Sequence, residues 1–360
     1  MSQDPQPGAP HDPVGEVLRL LKSAAGPANP MVLLDGPPLS GVSRSMYEAL
    51  QTQLPHARLH QLTAGELADA CTGPDTSRLF FAPGHQCVVW LDGLSPADLV
   101  LLGQGFLDQV LPQALVMASV NSAWRERILR DRSTLTAPAR TVLLEYAQRV
   151  SVPFTMTARE RSYLRENGFP VSKGLAESLV GGENLIKHYR RAGWENRDGR
   201  LLVEAAVDVR RCGIHRPLSE DELHQLWLAR CADGSDPRFQ QALEWAGTAP
   251  QNASMGLLYP AARTPSRPAG GWRVLAYAAG ADDGDHGHRA RPLDDAWEQV
   301  RELLTGADDQ YALGVAAHLH GRGGTARAAL ADAVERAAPE HPIADAARSA
   351  LHCLSPDDLG

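Results

Sequence analysis

Three strand-like runs, separated by helical patterns, place the strongest constraint on the fold of this chain. The runs are MVLLD (31–35), CVVWLD (87–92) and ALVMASV (114–120), and they consist mostly of apolar residues. Strands that are apolar on both sides belong to sheets that helices cover on both faces. Two weaker runs, ARLHQL (57–62) and RVSVPF (149–154), add further strands. The pattern predicts an α/β fold built on a parallel sheet.

Helical patterns dominate beyond residue 157. One helix is predicted to begin at Thr157, and another at Ser219, which with Glu222 forms a capping box. Two short β-like runs, 254–261 and 272–279, follow these helices and indicate a small winged-helix unit. The remaining chain is rich in alanine, which is typical of closely stacked helix pairs.

Charge and cysteine content argue against several classes of protein. The net charge of −8 gives no overall attraction for nucleic acid. Five scattered cysteines without a C-x-x-C pair fit a reducing compartment and argue against a structural zinc site. No apolar run approaches the roughly 20 residues needed to span a bilayer. The N-terminus has no signal-peptide pattern, so we predict a cytoplasmic protein without a membrane partner.

The loop after the first strand resembles a phosphate-binding loop that lacks its lysine. Gly36-x-x-x-x-Gly41-Val42-Ser43 fits the template G-x-x-x-x-G-K-[ST] except at Val42. In that template, backbone amides surround a phosphate, the hydroxyl holds Mg²⁺ and the lysine neutralises the terminal phosphates. Valine offers neither charge nor donor, and Arg44 lies about 200° further around the helix axis. A basic residue from elsewhere in the chain, or from a partner, is an open alternative.

Two other interpretations of this loop must be weighed. A plain strand–turn–helix explains the same spacing without any ligand. A nucleophile elbow requires G-x-S-x-G directly after a strand, but Ser45 stands at the last glycine, and a long loop separates Asp35 from Ser43. The elbow, and with it serine-hydrolase chemistry, is therefore disfavoured.

Polar residues also end the two later buried strands. Asp92 follows four apolar residues, as does the aspartate that faces Mg²⁺ beside a phosphate-binding loop. Many such ATPases carry a second acid at the next position, where this chain has Gly93. Ser119 and Asn121 end the third buried strand, where a polar residue either senses a terminal phosphate or caps the next helix. Asp92-Gly93 is also a common turn pair.

With these segments in order, the chain resembles the actinobacterial STAND-type P-loop NTPases that carry helical, tetratricopeptide-like C-terminal regions. The similarity covers most of the chain beyond residue 30, through short motifs. They are GPPLSGVSRSMYEALQTQLPHARL (36–59), VVWLDGL (88–94), LVMASV followed by RERIL (115–129), LLVEAAVDVRRCGIHRPLSEDEL (201–223) and WRVLAYAAG…PLDDAWEQV (272–300).

The departures from the family pattern fall on catalytic positions. Val42 replaces the lysine, Gly93 replaces the second acid, and Asn121 stands where a basic residue is expected. The resemblance therefore implies a STAND-like pseudo-NTPase with ATP and Mg²⁺ as its ligands, in which nucleotide binding is weak or lost and hydrolysis is absent. Family members act as switches and scaffolds, which implies a protein partner through the helical C-terminal region. An ATPase with residual hydrolysis and a helical adaptor without nucleotide are the alternatives.

The resemblance also implies a domain division. We expect a disordered N-terminus (1–13), a P-loop NTPase-like α/β domain (14–170), a helical, winged-helix-like domain (171–290) and a TPR-like helical C-terminal region (291–360). His286 and His288 lie among aspartates in a Gly-rich stretch within this plan. We predict a solvated loop there and no metal site.

Overall fold

A computed structural model describes residues 12–23, 31–62, 66, 86–231, 234–261, 270–282, 294–339 and 341–354. Its N-terminal part contains a five-stranded sheet in the order β2-β3-β4-β1-β5, and all strand pairs are parallel. The strands are β1 (Met31–Gly36), β2 (Arg58–Gln61), β3 (Cys87–Leu94), β4 (Ala114–Asn121) and β5 (Ala147–Ser151). The predicted α/β fold with a parallel sheet is confirmed.

The central strand β1 shows why the apolar runs become buried strands. Successive side chains of a strand point to opposite faces of the sheet. Met31 and Leu33 belong to one hydrophobic core, and Val32 and Leu34 belong to another on the other face. Helices cover both faces, so both sets of side chains are removed from water.

The helices of the N-terminal part follow the predicted alternation with the strands. They are α1 (Pro13–Ser23), α2 (Val42–Gln53), α3 (Pro96–Leu102), α4 (Gln104–Val110), α5 (Ser122–Arg130) and α6 (Ala137–Thr141), and a π-helical turn (Val142–Tyr146) leads into β5. The sequence predicts one helix over 95–111, but the chain forms two. Gly103 separates them because its backbone adopts a φ of 38°, which no helical residue has.

A helical region follows β5. It contains α7 (Ala158–Glu166), α8 (Leu175–Val180), α9 (Gly182–Glu195), α10 (Arg197–Arg211), α11 (Glu220–Leu228), α12 (Asp236–Gly247) and α13 (Ala276–Asp282), with β6 (Leu258–Pro260) and β7 (Trp272–Val274) paired antiparallel before α13. The predicted helix start at Thr157 and the predicted capping box at Ser219 are confirmed, and Thr157 also forms a capping box, with Glu160. Of the predicted β-like run 272–279, only Trp272–Val274 forms a strand, because α13 begins at Ala276.

The last helices are α14 (Asp294–Leu303), α15 (Ala307–Leu319), α16 (Gly323–Arg336) and α17 (Pro342–Cys353). Small residues let α15 and α16 approach closely. A Cβ added at Gly314 would lie 2.6 Å from Leu330 Cγ. The end of α15 returns to the N-terminal part, where His318 Nε2 lies 3.1 Å from Asp131 Oδ2. Within the described ranges, no helix is long and apolar enough to cross a membrane.

Candidate functional site

Three of the predicted site residues meet at the carboxyl ends of β3 and β4. Ser43 Oγ, at the start of α2, donates to Asp92 Oδ1 at 3.0 Å. Ser119 Oγ donates to the same Oδ1, and the amide of Gly93 donates to Ser119 Oγ at 2.7 Å. We call Ser43, Asp92 and Ser119 the carboxylate cluster. The parallel sheet brings these residues together because strands β3 and β4 end at the same edge, directly below α2.

A bulge directs Asp92 towards the cluster. The register of β3 against β4 shifts between Leu91 and Leu94, and Gly93 in the bulge has a left-handed φ of 73°. Bulges turn a side chain away from its regular alternation. Asp92 is exposed, whereas the five residues of β3 that precede it are all buried. An exposed carboxylate flanked by two hydroxyls is an oxygen donor set of the kind that Mg²⁺ prefers.

The loop between β1 and α2 folds tightly upon itself. A Cβ added at Gly36 would lie 2.3 Å from Ser40 Oγ and 2.7 Å from the carbonyl oxygen of Val152, so glycine alone fits there. Leu39 adopts a left-handed φ of 60° and Gly41 a φ of 92°. For leucine this backbone conformation is strained, at a cost on the order of 1 kcal/mol.

Val42 faces the inside of this loop. Its Cγ2 lies 2.9 Å from the position that a Gly36 Cβ would take. Ser40 Oγ is buried in the same place without a hydrogen-bond partner. Helix α2 begins at Val42, and no side chain caps its N-terminus. An unpartnered hydroxyl and uncapped amides suit an anionic ligand, whereas the valine supplies no charge to hold it.

The other two predicted site residues are engaged elsewhere. Arg44 Nε donates to Glu48 Oε1 at 2.7 Å along the exposed side of α2. Asn121 Oδ1 accepts a hydrogen bond of 2.8 Å from the amide of Ala123 and so caps α5. Arg44 therefore does not take the place of the missing lysine, and Asn121 acts as a helix cap.

An ion pair that was not predicted from the sequence lies at the base of the loop. Asp35 is 2% exposed, and Arg149 on β5 donates to both of its oxygens, at 2.5 and 3.0 Å. The hydrogen bonds to Asp35 raise the pKa of Arg149. Nearby, burial and the charge of Arg149 lower the pKa of Arg125. In the sequence, only Arg149 at the start of the run 149–154 points to this ion pair. Predicting the pair would also have required knowing that β5 lies beside β1.

The helical region lies over this end of the sheet. His215 Nδ1 lies 3.3 Å from the carbonyl oxygen of Gly93. Leu39, in the loop, packs against the core of the helical region, and its Cδ1 approaches Gly182. Neither contact was predicted, because each joins segments more than a hundred residues apart. A ligand in the loop would therefore be next to both parts of the chain.

Among the described residues, no cluster of metal-binding side chains accompanies the carboxylate cluster. Within the part of the chain that the structure describes, no group of three or more His, Cys, Asp or Glu side chains could hold a metal ion. His286 and His288 lie outside the described residues, so the predicted solvated loop stays a prediction. A Mg²⁺ ion at Asp92 would need ligands from hydroxyls, water and a phosphate.

Known proteins do not show a family for this chain. No protein-family model and no curated protein matches the chain. Among solved structures, the chain is similar to Cdc6p from Pyrobaculum aerophilum, with 13% identity and a TM-score of 0.26. The similarity covers 81% of this chain and 92% of that one.

Proposed function

We propose that this chain is a STAND-like regulatory or scaffold protein whose P-loop NTPase-like domain binds ATP and Mg²⁺ weakly or has lost that binding, and does not hydrolyse ATP. The observation that carries the proposal is the 3.0 Å hydrogen bond from Ser43 Oγ to Asp92 Oδ1. It joins the hydroxyl of the loop to the strand-end carboxylate, the two protein groups that hold Mg²⁺ in P-loop NTPases.

The residues fit the metal better than they fit the terminal phosphates. Asp92, Ser43 and Ser119 would hold Mg²⁺ directly or through water, and Ser40 Oγ is free to donate to a phosphate oxygen. Val42 leaves the charge of the β- and γ-phosphates without its usual counter-charge. Binding that depends on Mg²⁺ and on backbone amides alone is expected to be weak.

Hydrolysis lacks a group that would activate water. A P-loop ATPase polarises the attacking water with a side chain held beside the metal-binding carboxylate. Gly93 occupies that position and contributes only backbone groups, which are engaged with Ser119 and His215. The bound nucleotide would therefore persist and act as a signal.

Titration calorimetry with ATP and Mg²⁺ tests this function. Micromolar binding without phosphate release supports a non-hydrolysing switch, and Asp92→Ala is expected to abolish the dependence on Mg²⁺. Asp345→Ala is the matched control, because that carboxylate is exposed on α17. Turnover that is lost in Asp92→Ala would instead support an ATPase with residual hydrolysis. No detectable binding would favour an adaptor or a fully eroded site.

A switch must also reach the surface that binds a partner, which we propose to be the helical C-terminal region. His318, at the end of α15, contacts Asp131 and Ser133 in the N-terminal part. Hydrogen exchange with and without Mg²⁺ and ATP tests this link. Protection that extends from the loop at 36–43 to α15 supports a switch, whereas protection confined to the loop contradicts it.

A further inference from the structure

Three basic residues lie on α10, on the turn that follows it and on β7, which packs against α10. They are Arg210 at the end of α10, His215 in the turn and Arg273 on β7. The backbone groups of Leu218 and Trp272 exchange hydrogen bonds of 2.9 and 2.7 Å, which hold the turn against β7. His215 Nδ1 in turn lies 3.3 Å from the carbonyl oxygen of Gly93.

The two arginines differ from their neighbours in how their charges are paired within the described ranges. Arg211 pairs with Asp208, and Arg216 pairs with both Glu222 and Asp309. Among the residues that the structure describes, no carboxylate forms an ion pair with Arg210 or Arg273. Arg273 Nε is buried, and no described group accepts a hydrogen bond from it. A buried donor of this kind is rare in native proteins unless a ligand or water satisfies it.

The three groups are close enough to affect one another. Burial lowers the pKa of Arg210, and the charge of Arg273 lowers it further. Burial and the charge of Arg210 lower the pKa of His215 to about 3, so this imidazole is neutral at pH 7. Its Nδ1 must then donate to the Gly93 carbonyl, because a carbonyl oxygen only accepts. Two partly desolvated like charges therefore remain beside a neutral ring, an arrangement that a bound anion would stabilise.

We propose that Arg210 and Arg273 form a binding site for a phosphoryl oxyanion at the junction of β3 and the helical region, with His215 as the positioning residue that joins the site to Gly93. Guanidinium groups suit this ligand because their planar donors match the oxygens of phosphate. The ligand is either free phosphate or a phosphate of the nucleotide that the proposed function assigns to the carboxylate cluster. The site itself needs no P-loop.

Thermal unfolding in phosphate, compared with sodium chloride at equal ionic strength, tests this site. In the unchanged chain, millimolar phosphate is expected to raise Tm by about 2 °C. Arg210→Gln/Arg273→Gln is expected to lose that rise. Arg348→Gln should keep it, because Arg348 is an exposed arginine paired with Asp345. Without phosphate, the double variant is expected to be as stable as the unchanged chain or more so, because two uncompensated charges are gone.

Further Tm measurements distinguish the two sources of the anion, and a charge-preserving variant separates loss of binding from misfolding. A phosphate response that survives Asp92→Ala assigns the site to free phosphate. A response only to Mg²⁺ with a non-hydrolysable ATP analogue, lost in both Asp92→Ala and the double variant, assigns it to the nucleotide. Arg210→Lys/Arg273→Lys keeps the charge and is expected to retain part of the response. The proposal is overturned if neither anion raises Tm, or if the double variant responds as the unchanged chain does.

Discussion

Ser43 Oγ and Asp92 Oδ1 are 3.0 Å apart, although 49 positions separate these residues in the chain. The contact depends on the strand order, because β4 lies between β1 and β3 and carries Ser119, which donates to the same Oδ1. Such a cluster is expected only if the loop and the end of β3 share one edge of a parallel sheet. The hydroxyl and the carboxylate that the proposed Mg²⁺ site needs lie together, while the lysine position of the template is occupied by the apolar Val42.

Restoring the lysine should strengthen nucleotide binding. Val42→Lys places a cation at a position that faces the inside of the loop, and we expect the Kd for ATP with Mg²⁺ to fall at least about tenfold. A hydrogen bond to a charged group contributes roughly 1.5–3 kcal/mol, which corresponds to this change. Val42→Met is the control, because it adds a comparable stem without charge. Equal affinities of the two variants in calorimetry would contradict the P-loop interpretation.

Restoring the second acid should not restore hydrolysis. Gly93→Glu forces a side chain onto a backbone with a φ of 73°, which costs on the order of 1 kcal/mol. We expect a lower Tm and no phosphate release, even in the background of Val42→Lys. Gly93→Asn is the control, because asparagine tolerates the left-handed region better than other residues. Phosphate release by Gly93→Glu above that of the unchanged chain would refute this expectation.

Substitution of Asp131, which lies outside the candidate site, should clearly destabilise the fold. Burial alone would raise its pKa, but hydrogen bonds from His318, Ser133 and Thr136 outweigh it and hold the pKa well below its usual range. This carboxylate therefore stabilises the fold above about pH 4, and the contribution is lost as pH falls. We expect Asp131→Asn to reduce the free energy of unfolding by about 2 kcal/mol at pH 7. Denaturant titration measures the loss, and Asp345→Asn, at an exposed site, should change it little.

Acid should destabilise the protein already between pH 6.5 and 4. The pKa of His320 is lowered to about 4, first by burial and then by the charges of Arg127, Arg322 and Arg211, and the pKa of His215 is lowered to about 3. Each imidazole takes up a proton more readily in the unfolded chain, so stability is full above pH 6.5 and falls below it. The slope is at most about 1.4 kcal/mol per pH unit for each histidine.

His320→Phe tests this pH dependence. The imidazole of His320 packs between Trp124 and Trp297, and its ring centroid is 5.3 Å from each of theirs. Phenylalanine also places an aromatic ring there but has no group that titrates. We expect Tm to fall less steeply between pH 6.5 and 5 than in the unchanged chain. A pH profile with an unchanged slope would show that His320 is not one of the groups responsible.

The strands and the individual members of the carboxylate cluster could be predicted because local sequence marks each of them, whereas their contact depends on the strand order. Apolar runs gave β1, β3 and β4, and the spacing after Gly36 gave Ser43. The strand ends gave Asp92 and Ser119. Their roles, the domain boundaries and the tetratricopeptide-like character of the last helices stay predictions, since geometry alone does not test them.

Other features could not be predicted because they depend on tertiary contacts. The pair of Asp35 and Arg149 needs the pairing of β1 with β5, and the contact of His215 with Gly93 needs the helical region to cover β3. The division of the helix at Gly103 depends on one backbone angle, which the strong apolar pattern around it concealed. The role of Asn121 could not be predicted from the sequence, because an asparagine at the end of a strand can either contact a ligand or cap the next helix.

Gly93 connects the two parts of the chain through its backbone alone. Its amide donates to Ser119 and its carbonyl accepts from His215, so a tilt of the helical region would pull directly on the peptide beside Asp92. A substitution at this position would leave both hydrogen-bonding groups in place, because both belong to the backbone. The mechanical link between the carboxylate cluster and the helical region therefore keeps its groups when Gly93 is substituted, whereas substitution of His215 or Ser119 would remove one of its two hydrogen bonds.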